Sequence, residues 1–179
     1  DAAAINGIAA HALDYDDWDA LIHVGHPSSM LVGASLSLAE SVGASGQDWL
    51  KAYILAMEVI CKISAASPNV HDRGFHSTPV FGSLGAAVAC GSLLKLDPAK
   101  LKAALGIAAS AAGGIQRQQG SMVKPFHAGN GARNGAEAAL LASNGFTADP
   151  AIFEAPRGFC DTFFGSGTCD YEKMIANLG

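Results

Sequence analysis

Residues 122–129 carry the combination of side chains best suited to binding an anion. Lys124 and His127 flank a Pro-Phe pair and lie directly ahead of a predicted helix over residues 128–143. The first turn of a helix offers backbone N–H groups without intrahelical partners, and a lysine adds a compact positive charge. Lysine, imidazole and helix N-terminus together predict a site for a carboxylate or a similar anion.

A second cationic cluster lies in the predicted loop over residues 67–77. It contains His71, Arg73 and His76 and precedes a predicted helix over residues 78–94. A helix N-terminus favours anions, so cations gathered there fit the helix dipole poorly unless an anionic ligand completes the site. The residue types alone leave a ligand-binding role and a purely structural role equally open.

Carboxylates are concentrated near the start of the chain, in the run that opens with Asp14. Asp14, Asp16 and Asp19 alternate as calcium ligands do, but the glycine and the bidentate glutamate of a calcium loop are missing at their required positions. Two interpretations remain. One of these carboxylates orients a neighbouring base in a cleft, or the cluster is a solvated helix end.

Two further patterns resemble cofactor sites but are incomplete. His23 and His26 have the spacing of metal ligands, yet no HExxH motif or cysteine pair accompanies them, so we predict no metal site. Gly129, Gly131 and Gly135 follow the pattern GxGxxxG rather than the dinucleotide fingerprint GxGxxG, and no predicted strand precedes them. We therefore expect these glycines to serve helix packing and turns.

Composition and capping signals predict helices as the elements that position these residues. Alanine-rich runs favour helices, and no segment alternates polar and apolar residues as a strand does. Ser28 or Ser29 is the expected cap of the second helix, and Asp97 is the expected cap of the fifth. The predicted apolar or helical segments are 2–13, 31–42, 49–66, 78–94, 99–112 and 128–143, with a short helix after Asp149, a loop over 157–168 and a new helix starting at 174.

The composition also excludes several classes of protein. Half of the 179 residues are hydrophobic and 15% are charged, which is too apolar for a disordered chain. The net charge of −5, without a Lys/Arg run, argues against nucleic-acid binding. The longest weakly polar stretch, 103–115, is shorter than the roughly 20 residues of a membrane-spanning helix. Four cysteines without a CxxC pair predict reduced thiols and a cytoplasmic protein.

Several segments, taken together and in this order, resemble the MmgE/PrpD family. The most specific are the Lys-Pro-x-His-x-Gly pattern and the His-Ser-Thr loop. The resemblance implies an all-α, Ala/Gly-rich multi-helix domain, of which residues 1–179 are an internal part, without the family's smaller α+β lid domain. The segments are 10–17 (AHALDYDD), 26–28 (HPS), 73–78 (RGFHST), 120–135 (GSMVKPFHAGNGARNG), 145–150 (GFTADP) and 156–159 (PRGF).

The resemblance also implies an activity and a set of site residues. Members include 2-methylcitrate dehydratase, cis-aconitate decarboxylase and iminodisuccinate epimerase, which implies a homodimeric lyase without metal or organic cofactor and a small anionic carboxylic acid as substrate. Trp18 departs from the small polar residue common at its position. The residues implied in the pocket are Asp14, His26, His76 and Lys124, and the further substrate-binding residues we predict are His127, Arg73 and Gln118.

The chemistry of such acids suits these side chains. A di- or tricarboxylate is expected to bind Lys124 and protonated histidines, and Asp14 is expected to orient one of them. Dehydration, decarboxylation and epimerisation all pass through an electron-rich carbon beside a carboxylate, and all need a proton donor with a pKa near 7. The predicted function is thus a cofactor-independent dehydratase or decarboxylase. An isomerase or epimerase of a similar acid, and a non-catalytic truncated helical module, remain as alternatives.

Overall fold

The computed structural model describes residues 1–19, 21–68 and 70–177, which form eight α-helices and two 3-10 turns, at Val70–Arg73 and Gln116–Gln118. Within these residues, extended pairing is limited to two isolated bridges, so the prediction of an all-α fold is confirmed. The helices are α1 (Ala2–His11), α2 (Pro27–Val42), α3 (Gly46–Ala65), α4 (Ser77–Leu93), α5 (Pro98–Ala111), α6 (Val123–Ser143), α7 (Phe159–Phe163) and α8 (Tyr171–Ile175).

Helix α4 forms the centre of the molecule and packs against α2, α3, α5 and α6. Nearly all of its residues are buried, as expected for a helix that is apolar on every face. Small residues make this enclosure possible, because a Cβ atom on Gly135 of α6 would lie 2.3 Å from the Cβ of Ala86. Among the described helices, none is both long and apolar enough to cross a membrane.

Helices α1 and α6 also touch through glycines. A Cβ atom on Gly7 would lie 2.9 Å from the Cα of Gly129, and one on Gly129 would lie 2.4 Å from the carbonyl oxygen of Ala4. Gly129 thus serves close helix packing, as its sequence pattern predicted. This contact holds the end of α1 beside the start of α6 and so brings Asp14 to Lys124.

Helices α2 and α6 show the largest differences between the predicted and the observed helix start. Helix α6 begins at Val123 rather than at residue 128, because Pro125 lies in its first turn, where a missing N–H costs nothing. Helix α2 begins at Pro27 and its cap position is His26, so the prediction of a serine cap is wrong. The Ser29 hydroxyl instead donates a hydrogen bond of 2.9 Å to the carbonyl oxygen of His26.

The prediction was least accurate in the C-terminal third. The helix expected after Asp149 is a series of turns, in which the Asp149 carboxylate accepts a hydrogen bond of 2.9 Å from the backbone N–H of Ala151. The loop expected over 157–168 contains α7, whose Phe159 and Phe163 rings are buried with centroids 4.7 Å apart. The last helix begins at Tyr171 and ends at Ile175, and residues 178 and 179 of the expected extension lie outside the described residues.

The predicted cap of α5 and the predicted thiol state agree with the structure. Asp97 accepts a hydrogen bond of 3.0 Å from the backbone N–H of Lys100. All four cysteines are free. Burial raises the pKa of Cys90 and of Cys160 to about 12, so neither thiol has the thiolate character of a nucleophile.

Candidate active site

A cavity of about 460 Å³ opens where three long helices begin. Its wall includes His26 at the cap of α2, Ser77 at the first position of α4, and Lys124 in the first turn of α6. Each of these helix ends carries partial positive charge, although the first backbone N–H groups of α6 already donate to Ser121. The three N-termini and the lysine together make the cavity suited to an anion.

Asp14 and Lys124 form an ion pair at the edge of this cavity. The Lys124 Nζ atom lies 2.5 Å from Oδ1 of Asp14, and this hydrogen bond is the main cause that lowers the pKa of Asp14. Asp14 is half exposed and has a left-handed backbone, with φ of 58°. The pair therefore presents an ammonium to the cavity while its carboxylate faces water on one side.

His26 lies between two carboxylates. Its Nε2 atom is 3.7 Å from Oδ1 of Asp14, and its Nδ1 atom is 3.6 Å from Oδ1 of Asp16. Burial lowers the pKa of His26, and the charge of Asp16 is the largest influence that raises it. The backbone N–H of His26 donates a hydrogen bond of 3.1 Å to the Thr78 hydroxyl, which ties the start of α2 to the start of α4.

His11 and Asp16 belong to this cluster although we did not predict either as a site residue. His11 ends α1 with a fully buried side chain, and its Nδ1 atom lies 2.8 Å from Oδ2 of Asp16. Its ring meets that of His26 edge to face, with centroids 4.6 Å apart. The sequence spacing could have indicated that His11 lies near these carboxylates, since His11 precedes Asp14 by three residues and Asp16 by five.

His76 lines the cavity and contacts His127. Their Nδ1 atoms are 3.2 Å apart, and the His76 side chain is almost completely buried. Burial, followed by the nearby His127, lowers the pKa of His76 to about 3. Burial lowers the pKa of His127 as well. The expectation of protonated imidazoles is therefore wrong for His76 at neutral pH, where this ring is uncharged.

A hydrogen-bond chain through His71 reaches the same cavity. The Gln116 side-chain amide donates to Nδ1 of His71 at 2.8 Å, which places the proton of the neutral ring on Nε2. That Nε2–H donates to the Ser77 hydroxyl at 3.1 Å. Burial lowers the pKa of His71. We did not predict His71 or Ser77 as site residues, although His71 precedes His76 by five residues in the same cationic loop.

The structure brings Asp14, His26, His76 and Lys124 to one cavity, whereas Arg73 and Gln118 lie outside its wall. The Arg73 guanidinium is exposed and donates a hydrogen bond of 3.2 Å to the carbonyl oxygen of Thr162, beside α7. The backbone carbonyl of Gln118 accepts from the Ser121 hydroxyl at 2.8 Å.

Other predicted or neighbouring residues have intermediate positions. His127 reaches the wall only through His76. Trp18, which is 69% exposed, lies at the cavity's mouth. Gln119 and Ser121, which follow Gln118 closely, line the wall. The polar stretch around Gln118 therefore lines the cavity, but with residues next to Gln118 rather than with Gln118 itself.

Four residues bring possible metal ligands within 4.8 Å of one another, namely His11, Asp14, Asp16 and His26. The Lys124 ammonium, however, already lies 2.5 Å from Asp14, and His11 already shares its Nδ1 proton with Asp16. A dication here would have to displace one positive charge and one proton. We therefore do not assign these residues as metal ligands, and the predicted independence from metal stays a prediction.

The sequence of the chain is similar to those of known proteins. Residues 1–172 match the family model of the MmgE/PrpD N-terminal domain. A cis-aconitate decarboxylase of Homo sapiens is 34% identical over 165 residues, covering 88% of this chain and 34% of that protein. A cis-aconitate decarboxylase-like protein, oryM, of Aspergillus oryzae is 36% identical over 176 residues, covering 93% of the chain and 36% of the relative.

A cis-aconitate decarboxylase of Aspergillus terreus is 30% identical over 191 aligned positions, covering 99% of the chain and 39% of that enzyme. The chain thus spans little more than a third of the length of each of these relatives. The match nevertheless extends over nearly all of the chain, including the cavity's residues. The chain belongs to the MmgE/PrpD family.

Proposed function

We propose that the intact protein containing this chain is a cofactor-independent lyase that decarboxylates a small unsaturated tricarboxylic acid of the cis-aconitate type. The observation that carries the proposal is the cavity itself, where Lys124 and three helix N-termini surround neutral imidazoles. The activity for which the relatives are named favours decarboxylation over dehydration. We further propose a cytoplasmic homodimer, on the family resemblance and the free thiols.

Substrate binding uses the positive end of each helix. One substrate carboxylate accepts a hydrogen bond from the Lys124 ammonium and replaces part of its contact with Asp14. A second carboxylate lies at the start of α4, where the Ser77 hydroxyl and free backbone N–H groups donate to it. Because water can solvate the half-exposed Asp14, releasing Lys124 from this pair costs little free energy.

The chemical step breaks one C–C bond and forms one C–H bond. Carbon dioxide leaves, the electron pair of the broken bond delocalises towards a remaining carboxylate, and Lys124 stabilises the developing charge. A proton must then reach carbon. His26 is neutral because burial lowers its pKa, and an incoming polyanion raises that pKa again. His26 therefore takes up a proton when the substrate binds and delivers it to the carbanion.

Binding can be measured with the tryptophan at the cavity's mouth. The chain has two tryptophans, so Trp18 is the remaining one in Trp49→Phe. Trp49 donates a hydrogen bond to Ser35 on α2. We expect cis-aconitate to change the Trp18 fluorescence saturably, and the uncharged trimethyl ester to leave it unchanged. In Trp18→Phe, the Trp49 signal should not respond to the acid. A saturable response to the ester would contradict charge-based recognition.

Turnover by the intact protein tests the reaction. Incubation with 13C-labelled cis-aconitate should release one equivalent of carbon dioxide, and activity should survive prolonged treatment with a chelator. A product that keeps all three carboxyl groups would assign hydration or isomerisation instead. Activity lost on chelation and restored by a divalent metal would contradict the cofactor-independent mechanism.

A further inference from the structure

Asp16 has no role in the mechanism above, yet its carboxylate lies between two imidazole rings. Nδ1 of His11 lies 2.8 Å from Oδ2 and 3.0 Å from Oδ1, and Nδ1 of His26 lies 3.6 Å from Oδ1. The Asp16 side chain is only 8% exposed. Each oxygen of a buried carboxylate can accept more than one hydrogen bond, so Oδ1 can accept from Nδ1 of His26 beside its contact with His11.

The contact with His11 determines the tautomer of that ring. A carboxylate oxygen can only accept, so Nδ1 of His11 carries the proton and donates it to Asp16. In the neutral ring, Nε2 of His11 then has a lone pair, and this buried atom has no hydrogen-bond partner in the structure. His11 therefore supplies one N–H to Asp16, shared between the two carboxylate oxygens, and Oδ1 keeps a lone pair for His26.

His26 faces a carboxylate at each ring nitrogen, and the two are not equivalent. Asp14, 3.7 Å from Nε2, is half exposed and already neutralised by Lys124 at 2.5 Å. Asp16, 3.6 Å from Nδ1, is buried and has no lysine or arginine beside it among the ion pairs of the described residues. The less screened charge attracts the ring proton more strongly. The Nδ1 atom of His26 is also buried without a hydrogen-bond partner, and a shift of a few tenths of an ångström would give it one.

We propose that Asp16 is a positioning residue, which holds the proton of His26 on Nδ1 and so keeps the lone pair of Nε2 directed towards the Asp14–Lys124 pair. The tautomer is a property of the chain itself, whereas its use in catalysis rests on the proposed function. Nε2 is then the atom that takes up a proton when the polyanion binds and gives it to the carbanion. Asp16 stabilises the resulting imidazolium most, Asp14 does so to a smaller extent, and His11 and Lys124 oppose it.

The first experiment measures ring 15N chemical shifts of the histidines, which report the protonation of each nitrogen. His26→Asn assigns the His26 signals. At neutral pH we expect the proton of wild-type His26 on Nδ1, and in Asp16→Asn we expect its population to move towards Nε2 and the pKa of His26 to fall. Asp14→Asn is the matched control, since it removes the same charge from the other side of the ring at a position whose left-handed backbone tolerates asparagine. It should leave the proton on Nδ1.

The outcome in the wild type does not depend on Asp16→Asn, so a poorly folded Asp16→Asn still leaves the proposal testable. A wild-type ring with its proton on Nε2 would overturn it. An unchanged tautomer in a folded Asp16→Asn would overturn it as well, because Asp16 would then only brace the loop. If the tautomer depends on Asp16 but no acid is turned over, the positioning role stands and the proposed lyase function fails.

Kinetics of the intact protein then test the catalytic use. In Asp16→Asn we expect kcat to fall by roughly 100-fold while KM changes by less than about threefold, since Asp16 does not touch the substrate. The basic limb of the pH profile of kcat should move to lower pH, because the imidazolium of His26 loses its stabilising charge. A purely structural role would lower the melting temperature without moving that limb.

Discussion

Lys124 is the residue on which binding and catalysis both depend in the proposed mechanism. Its ammonium lies in the first turn of α6, where a cation opposes the partial positive charge of the helix end. Only Asp14 neutralises it among the ion pairs of the described residues, and that carboxylate is half exposed. A lysine at such a position is unfavourable for folding and well placed for an anionic ligand.

Replacing Lys124 by Met separates these two effects. We expect kcat/KM of the intact protein with cis-aconitate to fall by ~30- to 1000-fold, because a charge-assisted hydrogen bond worth about 2–4 kcal/mol in the transition state is lost. The melting temperature should change little, since the ion pair with the exposed Asp14 contributes at most about 1 kcal/mol. Lys124→Arg should restore activity only in part, because a planar guanidinium does not reproduce a compact ammonium. A folded Lys124→Met with wild-type turnover would remove Lys124 from the site.

At the scale of elements, the site depends on how closely the helices approach one another. Helix α6 carries Lys124 and His127 and is pressed against α4 at Gly135, where an added Cβ would meet the Cβ of Ala86 at 2.3 Å and the carbonyl oxygen of Ser83 at 2.6 Å. Backbone atoms cannot move aside as a flexible side chain can. The position of α6, and with it the distance between Lys124 and His76, is therefore set partly by the absence of one methyl group.

Gly135→Ala should therefore destabilise the fold by about 3 kcal/mol or more, because overpacking forces the two helices apart. The measurement is the free energy of unfolding in urea. Gly46→Ala is the matched control, since nothing lies within 4 Å of an added Cβ at this first position of α3. It should stabilise the protein by about 0.5 kcal/mol through the unfolded chain. Equal stability of the two variants would contradict the packing argument.

At the scale of the whole molecule, the buried histidines link stability to pH. The pKa values of His26, His71, His76 and His127 are all lowered, and for each ring burial is the main cause. On unfolding, each ring returns to its ordinary pKa of 6.5 and takes up a proton at any pH between its two values. The unfolded state then binds more protons than the native state, so stability rises with pH in that window.

For His76 this pH window extends from about 3 to 6.5. We expect the free energy of unfolding to fall as the pH is lowered from 6.5 towards 4, with His76 contributing about 1.4 kcal/mol per pH unit. His76→Gln should reduce that slope, as urea unfolding at several pH values will show. His23→Asn is the control, because His23 is exposed and its left-handed backbone tolerates asparagine. An unchanged slope of the free energy of unfolding against pH in His76→Gln would mean that other buried groups take up the protons.

The sequence by itself was sufficient for the fold class, the family and the four residues that meet in the cavity. Alanine-rich helices carry their own propensity, and Asp97 caps its helix through atoms three residues away. Such local interactions can be read without knowing the tertiary structure. The same holds for the motif around Lys124, because its side chain and the adjacent helix N-terminus are neighbours in the chain.

Tertiary structure decided what depends on distant neighbours. The loop predicted over residues 157–168 contains α7 because its Phe163 ring packs against Phe75, far away in the sequence, with ring centroids 4.8 Å apart. The charge of His76 follows from its burial rather than from its residue type. The aspartate that accepts a hydrogen bond from His11 is the buried Asp16, whereas the half-exposed Asp14 reaches Lys124, and only the loop's path across the cavity determines which of the two takes which place.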